Sequence, residues 1–118
     1  MRQFDRTRFD HVGLVTDEPK DGESWVEATR GWVTSPRAHP CNVEWLRFAP
    51  DSPAAEPLRT QPHLAYRVDD VHAALEGHEV VIEPFDIGDG FATVVFVNAG
   101  GALVEFMQYA NPGETGWF

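Results

Sequence analysis

Gln61-Pro62-His63-Leu64-Ala65-Tyr66-Arg67-Val68 lies 52 residues after Phe9-Asp10-His11-Val12-Gly13-Leu14-Val15-Thr16, and that shift places His63 on His11. A shift of 61 lays LVEFMQYAN (103–111) over NVEWLRFAP (42–50) and places Glu105 on Glu44. In this second overlay Val, Glu and Ala match identically, while Trp45 meets Phe106, Leu46 meets Met107 and Phe48 meets Tyr109. From His11 to Glu44 is 33 residues and from His63 to Glu105 is 42, so the first half reads as the same unit with nine residues missing. Nine residues make a strand or most of a helix. The chain is read as two related halves.

Outward from these stretches the organisation follows. Phe9 to Thr16 and Asn42 to Ala49 read as strands, closed by Asp17-Glu18-Pro19 and by Pro50-Asp51-Ser52-Pro53. Residues 50–62 hold four prolines and read as a connector. His63 to Val68 resumes strand character. Asp69-Asp70 then supplies an N-cap, and Val71, Ala74 and Leu75 recur at i, i+3, i+4 for a short helix that Gly77 ends. Glu79 to Phe85, Phe91 to Asn98 and Ala102 to Tyr109 follow as strands, the last two joined through Asn98-Ala99-Gly100-Gly101 as a hairpin. The second half is therefore β-α-β-β-β. Between Asp21 and Pro36, Trp25, Ala28 and Thr29 allow a helix, whereas Trp25-Val26 and Trp32-Val33 suit strands; the type stays open.

Strand alternation gives each of these strands two faces. His11 shares one with Phe9, Gly13 and Val15; His63 shares one with Ala65 and Arg67; Glu105 shares one with Leu103, Met107 and Tyr109. Each such face sets a histidine or a glutamate among mostly apolar neighbours. A carboxylate or imidazole there is costly to bury unless it is paired or holds a metal.

The 118 residues suit one domain, and the net charge of −10 argues against nucleic acid or an anionic membrane as partner. Hydrophobic residues at 42%, with four Trp and eight Phe, suffice for a packed core. No apolar run approaches the ~18–20 residues of a membrane span. Met1-Arg2-Gln3-Phe4-Asp5-Arg6 is charged where a signal peptide needs apolar residues, and Cys41 is the single cysteine, so a cytoplasmic location is expected.

HVGLV, HLAYRVDDV and VEFMQY resemble the vicinal oxygen chelate superfamily, which includes glyoxalase I, methylmalonyl-CoA epimerase, extradiol dioxygenases and fosfomycin-resistance proteins. The resemblance spans roughly residues 8 to 110 and is weakest between 17 and 42. It implies an α+β fold of paired βαβββ modules in an open, curled mixed sheet around a divalent metal. Its layout here is a single glyoxalase-like domain over 1–118: a shortened first module at 8–50, a connector at 51–62, a second module at 63–110 and a tail at 111–118. Carried over by position, the metal ligands are His11, His63 and Glu105, with Glu44 at the fourth position, a ligand and proton-transfer base in glyoxalase I.

Such a donor set suits Zn, Ni, Co, Mn or Fe(II). The activity implied is that of a metal-dependent lyase, isomerase or epimerase acting on a small α-hydroxycarbonyl or sugar-like substrate through an enediolate. The alternatives are an Fe(II)-dependent dioxygenase on His11, His63 and Glu105, and a non-catalytic, drug-sequestering member that satisfies these groups otherwise. Arg67 is a candidate for a substrate carboxylate or phosphate, and His39 a candidate cleft residue. Tyr109 is a candidate donor to a ligand carboxylate. His72 and His78 read as structural. Trp117 and Phe118 would be out of place in free solvent, so they are expected to dock on the body or on a second subunit, with a homodimer the expected assembly.

Overall fold

A computed structural model describes residues 4–118. In chain order the elements are β1 (Phe9–Val15), β2 (Ser24–Val26), β3 (Gly31–Val33), β4 (Val43–Phe48), α1 (Glu56–Thr60), β5 (His63–Arg67), α2 (Val71–Ala74), β6 (Glu79–Ile87), β7 (Ala92–Ala99) and β8 (Ala102–Tyr109). All eight strands form one mixed sheet in the order β2-β3-β4-β1-β5-β8-β7-β6. The two halves of that order are mirror readings of one another. β1 runs parallel to β4 and β5 parallel to β8, while β1 and β5 meet antiparallel at the centre. This is the glyoxalase-like architecture expected from the sequence.

The missing residues of the first half are those of a helix. β1 leads through a loop straight into the β2–β3 hairpin, whereas β5 is followed by α2, which Asp70 caps by accepting from the His72 N–H at 2.9 Å. α2 lays Val71 on Val95, Val97, Val104 and Phe106, and so covers the convex face of the second half. Segment 21–36, open to either type, is a hairpin with Trp25 opposite Trp32. Their rings meet edge to face at 4.9 Å. That cross-strand aromatic pair supports strands of only three residues each.

Two local expectations change. The proline-rich connector contains α1, because Pro57 falls in its first turn, where a missing N–H costs nothing. The face of β1 also shifts: pairing with β5 slips between Phe9 and His11, so Phe9 packs on Tyr66 and is 43% exposed instead of lying with His11. The slip leaves Asp10 and His11 buried together. Gly100 and Gly101, at φ 61 and 88, turn β7 into β8 as expected.

On the concave side Val26, Leu46, Leu58, Val94, Phe96 and Met107 form the larger core, into which the site is set. Leu58 of α1 is 2% exposed and plugs the space between the outer strands. Among the described residues no helix is long and apolar enough to cross a membrane.

Candidate metal centre

Four strands each deliver one side chain able to ligate a metal: His11 from β1, Glu44 from β4, His63 from β5 and Glu105 from β8. Register aims them inward. In the central antiparallel pair His11 stands opposite Ala65 and His63 opposite Gly13; in the flanking parallel pairs Glu44 stands beside Gly13 and Glu105 beside Ala65. Gly13 and Ala65 are equivalent positions of the repeat, and each small residue leaves room for the other half's imidazole. At Gly13 the fit is close, since a Cβ there would lie 2.5 Å from His63 Nε2 and 2.6 Å from Nδ1.

The four groups offer one ligand atom each within 4.8 Å of one another, and all four residues are buried. His11 Nε2 lies 3.2 Å from Glu44 Oε1 and 3.5 Å from Glu105 Oε1. His63 Nε2 lies 3.4 Å and 3.2 Å from the same two atoms. Donors about 2.1 Å from one ion are separated by ~3.0 Å at an octahedral edge and ~3.4 Å at a tetrahedral one, which is the spacing found here. His11 Nε2, His63 Nε2 and Glu44 Oε1 have no hydrogen-bond partner despite full burial. Orphaned buried donors and acceptors at ligand spacing fit a divalent cation. The pair of carboxylates also balances its charge.

The electrostatics of the ion-free site say the same. Burial pushes Glu44 up, yet the adjacent His11 and His63 outweigh it and hold the carboxyl at about 2. Burial pulls His63 down, but Glu105 and Glu44 lift it to about 9. Against the same burial, Glu44 and Asp10 raise His11 well above its ordinary value. The two carboxylates call for positive charge beside them.

Behind His11 is a residue that the sequence did not single out. Asp10 Oδ2 accepts from His11 Nδ1 at 2.6 Å and from the Tyr109 hydroxyl at 2.9 Å. Asp10 Oδ1 accepts from Arg37 Nη2 at 2.5 Å and from Arg67 Nε at 3.0 Å. Burial works to raise its pKa, but His11 and Arg37 hold it well below the carboxylate range. An ionised acceptor at Nδ1 makes that nitrogen the donor and leaves the Nε2 lone pair facing the other ligands. The equivalent of Asp10 in the second half is Pro62, and His63 Nδ1 is buried with no partner. The two imidazoles are chemically unequal.

The other expected residues fall elsewhere. Arg67 turns to Asp10 and Glu114. Tyr109 donates to Asp10 rather than to Glu44 or Glu105, and burial followed by the Asp10 charge pushes its phenol well up, so it stays a donor. His39 stands outside the cluster, its Nδ1 accepting from the Cys41 N–H at 3.0 Å. Trp117 and Phe118 dock on the body of the same chain: Trp117 meets His11 edge-on at 5.1 Å, and both rings pack on Phe91.

No family model and no curated protein sequence matches this chain. Solved structures do. The hypothetical protein BH1468 from Bacillus halodurans C-125 superposes with a TM-score of 0.59 at 19% identity, over 90% of this chain and 96% of that one. Methylmalonyl-CoA epimerase from Mycobacterium tuberculosis superposes with a TM-score of 0.58 at 20% identity, over 89% of each chain. The likeness at this identity is one of fold, that of a curled mixed sheet.

Proposed function

We propose that this chain is a metal-dependent isomerase, epimerase or lyase acting on a small α-hydroxycarbonyl or sugar-like compound. One observation carries the reading: two imidazoles and two carboxylates converge, buried, within 4.8 Å. His11, His63 and Glu105 would hold the ion, and Glu44 would complete the set or move the substrate proton. A divalent cation there supplies Lewis-acid stabilisation of negative charge on substrate oxygens. In the proton-transfer role Glu44 would take a proton from the carbon beside a carbonyl; that it faces the same interior as the other three supports this reading. A fold neighbour that is an epimerase by name supports this class. A fourth potential donor beside the two histidines and one carboxylate favours this class over a three-ligand iron dioxygenase.

The space beside the ligands is small. A cavity of about 30 Å³ touches Glu44, His63 and Glu105 and is otherwise lined by side chains such as Val26, Leu58 and Phe85. That is room for about two waters. An outer cleft of about 570 Å³ runs between Ala28, Thr29 and Ala54 on one side and Ile82 and Phe85 on the other, and it shares Thr29 and Phe85 with the inner cavity. A substrate that entered along this seam would have to pass Leu58 of α1, which lines the inner cavity.

The test is deuterium uptake from D₂O at the carbon next to the carbonyl, with candidate α-hydroxycarbonyl compounds and zinc- or cobalt-loaded protein. Glu44→Gln keeps the shape of the side chain but cannot accept a proton near neutral pH. Exchange that stops while the ion is retained supports Glu44 as the base. Wild-type exchange surviving unchanged in that variant removes it from the role.

A further inference from the structure

The polar cluster behind His11 does not end at Asp10. Arg37 and Arg67, which hold Asp10 Oδ1, also converge on Glu114 of the C-terminal segment: Arg37 Nη2 donates to Glu114 Oε1 at 2.7 Å and Arg67 Nη2 donates to the same atom. Arg67 Nη1 further donates to the Pro112 carbonyl at 3.1 Å. The Glu114 side chain is 6% exposed and that of Asp10 is 1% exposed, so two arginines and two carboxylates make a shielded, charge-neutral square. Three residues beyond Glu114, the Trp117 ring covers His11. The segment thus touches the imidazole directly through the Trp117 edge and reaches it indirectly from Glu114, through the two arginines and Asp10.

We infer that the 111–118 segment is a working part of the metal centre, with Glu114 a positioning residue that acts on His11 through the two arginines and Asp10. The physical path is short. Asp10 can fix His11 as the Nδ1–H, Nε2-ligating form only while its Oδ2 stays at Nδ1. Its other oxygen is drawn towards two guanidinium groups, and Glu114 takes a share of both. Neutralising Glu114 leaves two cations competing for one carboxylate. That loosens the Asp10–His11 bond and adds a net positive charge near the ligands, and both effects weaken cation binding. This inference rests on the metal reading of the four ligands, not on the reaction assigned to them.

The experiment measures zinc affinity by competition with a chromophoric chelator, alongside the nitrogen-15 NMR signature of His11 Nδ1–H in the zinc-loaded protein. Wild type is expected to bind one ion with a slowly exchanging Nδ1–H. Asp10→Asn is expected to lose about 10–100-fold in affinity, and Glu114→Gln roughly tenfold, both with faster exchange at Nδ1. Glu23→Gln removes a comparable ion pair, Glu23 to Arg47 at 2.7 Å, away from this cluster and is expected to leave affinity and exchange unchanged. A folded Glu114→Gln protein with wild-type affinity and a protected Nδ1–H overturns the inference while leaving the metal reading intact. Absence of zinc uptake by the wild type overturns both.

Discussion

His63 sits over Gly13 so closely that its imidazole occupies the space where any other residue at position 13 would carry its Cβ. Gly13→Ala is therefore expected to cost about 1–3 kcal/mol through overpacking and to displace the ring from the ligand set. Urea denaturation and metal analysis check the two effects. The double variant Gly13→Ala/His63→Ala is expected to recover stability without recovering the ion. A Gly13→Ala protein that binds a full equivalent would show that the close approach is irrelevant to the site.

Removing a ligand has a plainer outcome. His63→Ala or Glu105→Ala is expected to take the protein from about one divalent ion per chain to none, since each removes a donor, and the latter a charge, that the ion needs. Elemental analysis after purification without chelator gives the count. A full equivalent retained in either variant ends the assignment.

The ion-free site has a pH signature. Glu44, held at about 2 against an ordinary 4.5, stabilises the folded chain above pH 4.5 and ceases to do so as pH falls towards 2. His63, lifted to about 9 from 6.5, stabilises it below pH 6.5 and ceases to do so as pH rises through 9. Chelator-treated protein should melt highest between about pH 4.5 and 6.5. Added zinc, by replacing the protons, should move that maximum upward. Coincident melting profiles with and without zinc above pH 7 would contradict this.

Leu58→Ala, on a residue 2% exposed in the plug over the inner cavity, is expected to cost about 2–5 kcal/mol. On the reading that entry runs past Leu58, chelator should strip the ion faster from this variant. A stripping rate equal to the wild type's places the passage elsewhere.

We propose a homodimer, on the ground of uncovered sheet edge and apolar surface. Trp117 and Phe118 pack on Phe91 of the same chain, though Phe118 stays 42% exposed; among the described residues β2 and β6 are the sheet edges, and Trp25 on β2 is 39% exposed. Light scattering at micromolar concentration should give twice the 13.2 kDa chain mass. A clean monomer removes the claim.

What the sequence disclosed was what is local. Strand alternation, the Asp70 cap and the Gly100-Gly101 turn act within a few residues, so β1, β4, β5 to β8 and α2 could all be read, and the repeat put the four His and Glu side chains in equivalent places. The 24–33 hairpin resisted because three-residue strands leave no period to count, and only Trp25 meeting Trp32 decides it. Asp10 was hidden by alternation itself, which points it away from His11 until a bulge turns both inward. Arg37 and Glu114 stand 77 positions apart, and nothing local to either announces their pairing. Gly13 did carry a legible signal, a glycine inside a strand two residues after a histidine.

The ligands come from four strands that meet only across the central β1–β5 pairing, where His11 faces Ala65 and His63 faces Gly13. That junction closes a loop of some fifty residues, so no half-folded chain contains the cluster. An ion that recognises the folded state alone contributes its whole binding energy to keeping that state. Each tenfold excess of free ion over Kd then adds about 1.4 kcal/mol to the work of unfolding. With such an ion bound, the stability of the chain would report the ion concentration around it.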